Sequence, residues 1–353
     1  MQNTYEKSVE LMLFEELLAI PSPSGREEEL ADFVSNRLSL WGYQPETDLS
    51  GNVIVRIEGK DPGGPLCCLA AHLDEIGLVV SRLDTCGIIR VKPSGGLLPW
   101  KIGERPVELL GDHRTVTGLL CMGSGHVTNS ENKTLDWENV TLQTGLSEED
   151  LEQAGIRPGT LIVPLRDGLG PVLMGPQDDA LVAAWTFDDR MGVVALMRLL
   201  EIIKIQGIQP HNPMLIAFTV QEEIGGAGAM ALAQFEKPDV FIAIDGCPIP
   251  PDVNLKLDGR PGIWSKDRRH QYDQKLLAFI CECAKVAGTE LQPVVFDAAA
   301  SDASMVASVG GARRTACFGH VRENSHGYEL ARLSVFENVV KTLVQFVKDW
   351  QSE

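Results

Sequence analysis

The sequence has few features that would suit it to nucleic acid or to a membrane. Its 353 residues carry 31 Lys and Arg against 49 Asp and Glu, a formal net charge of −18. This balance argues against nucleic acid or an anionic membrane surface as a partner. Apolar runs are all shorter than a membrane span requires. We therefore expect neither kind of partner.

Cysteine patterning is also absent. The eight cysteines form no CxxC pair and show no zinc-finger spacing. Most lie inside apolar runs, where free cysteine behaves as a small hydrophobic residue. Residues 1–7 lack the basic region and apolar run of a secretory signal peptide. A reducing, cytoplasmic location is the simplest prediction.

Long blocks of one charge are missing too, which argues against disorder. With 353 residues, of which 44% are hydrophobic, the chain is large enough for one large domain or two. Helical and strand patterns alternate in residues 1–76 and 173–353, which predicts an α/β domain. Residues 77–172 instead hold short β-like runs between Gly, Pro and polar turns. We interpret this segment as a β-rich domain inserted into the α/β domain.

The most informative stretch follows the apolar run Met214–Val220, which is typical of a buried strand. This run leads to Glu222 and Glu223 and then to a glycine-rich turn. Two carboxylates at the end of a hydrophobic strand are costly unless a positive group lies beside them. Because adjacent side chains point in different directions, one could bind a metal while the other faces a substrate.

Other predicted strands also end in polar residues. The strand 66–71 is followed by His72 and Asp74, which face the same side of an extended chain. His72 is a candidate metal ligand, and Asp74 is a candidate to orient its imidazole. A third predicted strand, Val240–Ile244, is followed by Asp245.

Three further residues are candidates: Asp188, Asp189 and His326. Asp188 and Asp189 precede a predicted helix from Met191 to Ile203, and capping that helix requires only one of them. Their spacing allows either to be a ligand. His326 follows the strand predicted at 314–318.

Local patterns elsewhere predict supporting structure. Ser24 and Glu27 have the spacing of a capping box at the start of a helix from about Glu27 to Trp41. The segment from Pro248 to Arg269 is rich in Pro, Gly and charge, and we expect it to loop over the site.

These candidates are far apart in sequence, but the carboxyl ends of strands in an open α/β sheet form a common ligand crevice. Two histidines and three carboxylates suit a pair of divalent ions, with one carboxylate bridging them. A further carboxylate is then free to act as a general base. Such a ligand set accepts zinc, cobalt or manganese.

Seven short segments occur in a specific order and spacing: Ile20–Gly25, Ala71–Gly77, Phe187–Arg190, Gln221–Gly225, Ile244–Asp245, Ser301–Ala303 and Ser325–His326. In these segments the sequence resembles the M42 family of metallo-aminopeptidases, which includes glutamyl and tetrahedral aminopeptidases. The resemblance implies a mixed-sheet, three-layer α/β/α catalytic domain of the zinc-exopeptidase kind. It also implies an inserted PDZ-like or β-barrel domain that serves in dimerisation.

The resemblance further implies a set of metal ligands: His72, Asp188, Glu223, Asp245 and His326. Among them Asp188 is the bridging carboxylate, and each of the two histidines is a terminal ligand of one of two divalent ions. The implied ions are zinc or cobalt, with manganese as a further option. Glu222 is implied as the general base for a metal-bridging water, and Asp74 as the support of His72. The implied substrates are short peptides cleaved at the N-terminal residue, and the implied assembly is a dimer-based homo-oligomer, with dodecamers common in the family.

The sequence departs from the family pattern near the substrate. The segment before the last histidine reads Arg322-Glu-Asn-Ser-His326 instead of Arg-Tyr-x-His-Ser, and a Gly-Thr-Asp loop reads Ala300-Ser-Asp302. Specificity is therefore not carried over.

Two alternatives remain at this point. A metal-dependent carboxypeptidase or N-acyl deacylase needs a cation to hold a substrate carboxylate, and Arg190, Arg260 and Arg322 are available. A catalytically silent scaffold would lack the general base or a ligand, and none of these residues is missing.

Overall fold

A computed structural model describes residues 7–84, 87–123, 135–176 and 180–351. Within these ranges the α-helices are Val9–Leu18 (α1), Glu28–Leu40 (α2), Pro99–Ile102 (α3), Glu148–Gln153 (α4), Phe187–Gln206 (α5), Ala227–Glu236 (α6), Gln274–Val286 (α7), Asp302–Ser308 (α8) and Ser334–Asp349 (α9). None of the described helices is long and apolar enough to cross a membrane.

The strands fall into a large sheet, a barrel and two small sheets. They are Glu46–Thr47 (β1), Val53–Ile57 (β2), Cys67–His72 (β3), Gly77–Leu83 (β4), Ile89–Ser94 (β5), Pro106–Leu110 (β6), Thr115–Cys121 (β7), Thr141–Gln143 (β8), Leu161–Pro164 (β9), Val172–Met174 (β10), Leu181–Trp185 (β11), Met214–Thr219 (β12), Val240–Ile244 (β13), Cys247–Pro248 (β14), Gly262–Lys266 (β15), Gln292–Val295 (β16), Arg314–Gly319 (β17), Val321–Arg322 (β18) and Tyr328–Arg332 (β19).

The large sheet has eight strands in the order β1-β2-β12-β3-β13-β17-β15-β16. Strands β12, β3, β13 and β17 run parallel to one another, whereas β2 and β15 are antiparallel to their neighbours β12 and β17. Every residue of β3, β12 and β13 is buried, as expected of central strands covered on both faces. Helix α5 contacts β3 and packs against α1 and α9, while α8 contacts β13 and β17. The predicted mixed-sheet α/β/α fold is confirmed.

A closed six-stranded barrel, in the order β4-β5-β8-β7-β6-β9, is inserted directly after β3. It encloses its own hydrophobic core, with Leu78, Leu109 and Ile162 fully buried. This confirms the β-rich module of the predicted fold class. The barrel strands end at Pro164, and β10 already pairs with β11 of a separate three-stranded sheet. The exact division of the chain into domains stays a prediction.

One loop prediction is wrong in part. Residues of the Pro- and Gly-rich segment from Pro248 to Arg269 line the cavity at the site, but the segment is not all loop. It contains β15, which joins the large sheet between β17 and β16. Ile263 and Trp264 are almost fully buried there, and the Trp264 indole Nε1 donates to Cys247 Sγ at 3.1 Å. The burial of these two side chains outweighs the turn-like composition around them.

The cysteines within the described residues are all free, and Cys86 lies outside those residues. Burial raises the pKa of the Cys67 and Cys317 thiols above the ordinary value. Such thiols are poor nucleophiles. The cytoplasmic location stays a prediction.

Candidate metal centre

The predicted ligands converge where the parallel strands of the large sheet end. Ligand atoms of His72, Asp188 and Asp245 lie within 4.8 Å of one another, and so do those of Asp188, Glu223 and His326. Asp188 belongs to both of these groups. Ligand atoms of His72, Glu222 and Glu223 are equally close to one another, so the three groups overlap. The structure thus brings together all five residues that the sequence and the family resemblance singled out.

His72 is the last residue of β3, and its side chain is almost completely buried. The ring Nε2 lies 3.3 Å from Asp188 Oδ1, and Nδ1 lies 3.0 Å from the Asp74 carbonyl oxygen and 3.4 Å from Asp74 Oδ1. Burial opposes protonation of the ring, but hydrogen bonds to Asp188 and Asp74 raise its pKa well above the ordinary value. Asp74 therefore contacts the imidazole through its backbone carbonyl and lies close to it with its carboxylate. Its role in orienting the ring stays a prediction.

Asp188 and Asp189, which spacing alone could not separate, have different surroundings. Asp188 places Oδ1 near His72 and Oδ2 3.5 Å from His326 Nε2. Asp189 instead accepts backbone hydrogen bonds, from Gly192 N at 3.0 Å and from His72 N at 3.3 Å. Asp188 thus lies between the two histidines, whereas Asp189 holds the start of α5 and the backbone of His72.

The turn after β12 carries Glu222 and Glu223. Asp74 accepts hydrogen bonds from the Glu222 N–H at 2.9 Å and from the Glu223 N–H at 3.1 Å, one on each carboxylate oxygen. Ser24 Oγ donates to the same carboxylate at 2.6 Å. Asp74 thus fixes the backbone of both glutamates, a role that sequence analysis missed.

The predicted capping box at Ser24 and Glu27 is wrong. Helix α2 begins at Glu28 and has no side-chain cap. The Ser24 hydroxyl is directed to Asp74, while Glu27 Oε1 accepts from the N–H groups of Gly25 and Gln221. The two residues have the correct spacing for a cap, but both side chains support the site instead.

His326 lies in the loop between β18 and β19, with a φ of 58° in the left-handed region. Its side chain is 31% exposed, and its Nε2 is 3.7 Å from Glu223 Oε2. Nδ1 is 3.1 Å from the carbonyl oxygen of Gly96, in the loop after β5. A Cβ on Gly96 would lie only 2.7 Å from that Nδ1, so this approach requires glycine.

A buried ion pair lies behind the ligands. The Arg322 guanidinium donates to Asp188 Oδ2 and pairs with Glu329 Oε1 at 2.8 Å. Glu329 also accepts from the N–H groups of Asp188 at 3.0 Å and His326 at 3.2 Å. Sequence analysis considered Arg322 only as a substrate anchor and missed Glu329. The three-residue spacing between His326 and Glu329 was the available signal.

The charges of the site favour bound cations. Burial raises the pKa of Asp245 to about 8 and that of Glu223 to about 7. Burial alone would also raise the pKa of Asp188, but Arg322, with the two histidines, holds it well below the usual range. Glu223 Oε1 is buried and has no hydrogen-bond partner among the described residues. An orphaned carboxylate oxygen beside several others fits a divalent cation.

The ligands open onto a cavity of about 810 Å³. Trp264, Phe296 and the exposed side chains of Arg268 and Arg269 line its far side. A cavity of this size can hold a short peptide or a comparable ligand.

Two of the arginines considered as substrate anchors are used elsewhere. Arg190 is fully buried and donates to the Leu73 carbonyl and to Ser22 Oγ. Arg260 pairs with Asp258 at 2.8 Å. Neither lines the cavity.

Comparison with known proteins shows which sequences resemble this chain. The sequence profile of the family described as M42 glutamyl aminopeptidase matches residues 51–342. A putative aminopeptidase of Acetivibrio thermocellus is 28% identical over 95% of this chain and 97% of its own. The glutamyl aminopeptidase of Lactococcus lactis subsp. cremoris (strain MG1363) is 30% identical over 66% of this chain and 65% of its own.

Solved structures show the same fold. The Pyrococcus horikoshii TET1 peptidase, reported to assemble into a tetrahedron or a large octahedral shell, superposes with a TM-score of 0.85. The match covers 97% of this chain and 100% of that one at 23% identity, a level that shows the fold alone.

Proposed function

The chain belongs to the M42 glutamyl aminopeptidase family, and we propose that it releases N-terminal residues from short peptides with two divalent metal ions. The observation that carries this proposal is the position of Asp188 between the two histidines. Its Oδ1 lies 3.3 Å from His72 Nε2, and its Oδ2 lies 3.5 Å from His326 Nε2. A carboxylate that presents one oxygen to each of two ligand groups is the arrangement expected of a two-ion hydrolytic centre.

The five ligands would hold zinc or cobalt, with manganese as a third option. When bound, such ions polarise the scissile carbonyl and lower the pKa of water at the site. Arg322 and Glu329 keep Asp188 oriented toward both groups, because Arg322 donates to its carboxylate and Glu329 accepts from its backbone N–H.

Glu222 is the proposed general base. In the metal-free protein, burial and the neighbouring carboxylates of Glu223 and Asp245 raise its pKa well above the ordinary value. Positive charge beside it favours the ionised form that a base requires. Glu222 takes a proton from the attacking water and donates it to the leaving amine, so its own charge is restored at the end of the reaction.

We extend the proposal to domains and assembly. Residues 1–76 with 173–353 form the catalytic domain, and residues 77–172 form the insert that mediates dimerisation. Support for a homo-oligomer comes from the tetrahedral or octahedral assembly of the similar Pyrococcus horikoshii peptidase.

A panel of free and N-acetylated short peptides tests the activity, assayed with and without a chelator and with added Zn²⁺ or Co²⁺. We expect chelator-sensitive release of N-terminal residues that acetylation blocks. Cleavage of acetylated peptides, or release from the C-terminus, would establish the deacylase or carboxypeptidase alternative. Bound metal without any cleavage would favour the silent scaffold.

A further inference from the structure

The turn that carries Glu222 and Glu223 is held by side chains rather than by a sheet or helix. The N–H groups of residues 220–223 each donate to a buried side-chain oxygen of another segment: Val220 to Asn52 Oδ1 at 3.1 Å, Gln221 to Glu27 Oε1 at 3.2 Å, Glu222 to Asp74 Oδ1 at 2.9 Å and Glu223 to Asp74 Oδ2 at 3.1 Å. Four successive amides are thus fixed by three segments distant in sequence.

Gln221 is the point at which the chain changes direction. Its φ is 60°, in the left-handed region that a residue with a Cβ rarely adopts. Such a conformation persists only where surrounding contacts impose it. Its carbonyl accepts from Gly226 N at 2.8 Å, and its N–H donates to Glu27. Loss of either contact would free the residue immediately before Glu222.

The Glu27 carboxylate bonds to two backbone N–H groups and to no cation among the described residues. Only 5% of the residue is exposed, and none of the described Lys, Arg or His side chains forms an ion pair with it. Its Oε1 accepts from Gly25 N at 2.9 Å as well as from Gln221 N. A buried carboxylate without a cation is costly, and here its interactions are with backbone N–H groups.

We propose that Glu27 is a positioning residue, which holds Gln221 in its left-handed conformation and thereby aims Glu222 into the site. The expected effect of Glu27 on kcat rests on the proposed function. Its expected effect on the backbone of Gln221 does not. To accept from Gln221 N, the side chain at position 27 must be long enough and must end in an acceptor oxygen. It need not carry a negative charge.

Two substitutions separate reach from charge. Glu27→Gln keeps the length and an acceptor oxygen but removes the charge. Glu27→Asp keeps the charge but shortens the side chain by one methylene, so its carboxylate no longer reaches Gln221. Glu28→Gln, at the exposed neighbouring residue that begins α2, is the matched control. Thermal unfolding and circular dichroism identify any variant that fails to fold.

The first readout is amide hydrogen exchange of the segment 219–226 in the metal-free protein, which does not depend on activity. We expect Glu27→Asp to speed exchange in this segment about tenfold, because one buried N–H loses its partner. Glu27→Gln and Glu28→Gln should match the wild type. Unchanged exchange in Glu27→Asp would overturn the proposal, and so would faster exchange in Glu27→Gln.

The second readout is the split between kcat and KM on a cleaved peptide. We expect Glu27→Asp to lower kcat about tenfold with KM changed less than about twofold, because the base is misaligned while the substrate cavity is intact. Glu27→Gln should restore kcat. A low kcat in Glu27→Gln with a normal one in Glu27→Asp would overturn the proposal in favour of a charge effect. If the wild type cleaves no peptide, the proposed function fails, and hydrogen exchange alone decides the role of Glu27.

Discussion

The two halves of the candidate metal centre are built in different ways. The core half consists of His72, Asp188 and Asp245, and the rim half of Asp188, Glu223 and His326. His72 and Asp245 end or directly follow buried parallel strands and are 2% and 6% exposed. Glu223 and His326 lie in turns, and the His326 side chain is 31% exposed.

The difference shows which forces place each ligand. Pairing of β3 with β12 and β13 fixes the positions of His72 and Asp245 in the core half. These two ligands cannot move apart without disrupting the sheet. The rim half instead depends on hydrogen bonds to the Asp74 and Glu329 carboxylates and to the backbone carbonyl of Gly96. Turns held by a few hydrogen bonds open at lower free energy than strands of a sheet core. We therefore expect the rim half to lose its ion first.

Glu222, which belongs to neither half, should show the largest effect. Glu222→Gln should lower kcat about 100- to 10,000-fold, the range for loss of a general base, while both ions and the fold are kept. Steady-state kinetics with metal analysis by mass spectrometry measures this. Glu28→Gln serves as the control, and substantial residual turnover would remove Glu222 as the base.

Substitution of each histidine tests the comparison directly. His326→Ala should lower the affinity for the rim ion about 100-fold or more and leave the other ion bound. The reason is that losing a ligand costs more affinity than losing a supporting residue. His72→Ala should weaken the core ion and also lower the melting temperature, because it vacates a buried, hydrogen-bonded position. Equal effects of the two substitutions in titration calorimetry would contradict the distinction between the halves.

Metal binding should depend on pH through both histidines. Burial opposes protonation of His326, but Glu223 and Asp188 raise its pKa to about 10 in the metal-free protein, and the pKa of His72 is also raised. The raised pKa values favour the protonated rings, which must lose a proton to bind metal. The ligands Asp245 and Glu223, with pKa values of about 8 and about 7, also release protons when metal binds. Affinity should therefore rise with pH up to about 10, by up to tenfold per pH unit for each proton released.

Calorimetry in buffers of different ionisation enthalpy counts these protons. We expect at least two per protein when both ions bind, and one fewer in His326→Ala. Proton release that is unchanged by this substitution would show that the ring is neutral before metal binds.

The smallest effect should come from Gly96, which bounds only the rim half. Gly96→Ala places a Cβ 2.7 Å from His326 Nδ1 and should displace that ring, lowering affinity for the rim ion several-fold. Gly63→Ala, where the nearest atom is 3.6 Å away, is the matched control. Equal metal affinities in the two variants would show that the loop after β5 moves to accommodate the added Cβ without displacing His326.

Sequence patterns anticipated the core half better than the rim half. An apolar strand that ends in a polar residue is visible locally, so His72, Asp245 and the two glutamates after β12 could be found without a structure. His326 was a candidate from its position after the strand predicted at 314–318, but its role as a ligand came from the family resemblance, because it lies in an irregular loop. Spacing left Asp188 and Asp189 open, and the resemblance selected Asp188. The structure directs the Asp188 carboxylate, and not that of Asp189, toward the ring of His72.

Residues that support the site were harder to recognise. Glu27 and Gln221 are 194 positions apart, and no local pattern encodes their hydrogen bond. Glu27 also had a plausible local explanation as part of a helix cap, which the structure shows to be wrong. Strand β15 was missed for a related reason, since its buried Ile263 and Trp264 stand within a turn-like composition.

The most direct test of a centre shared by Asp188 is anomalous diffraction from crystals of the zinc- or cobalt-loaded protein. The account predicts two anomalous peaks about 3.5–4 Å apart, with Asp188 contacting both, His72 and Asp245 at one, and Glu223 and His326 at the other. A single peak, or two peaks without Asp188 between them, would contradict it.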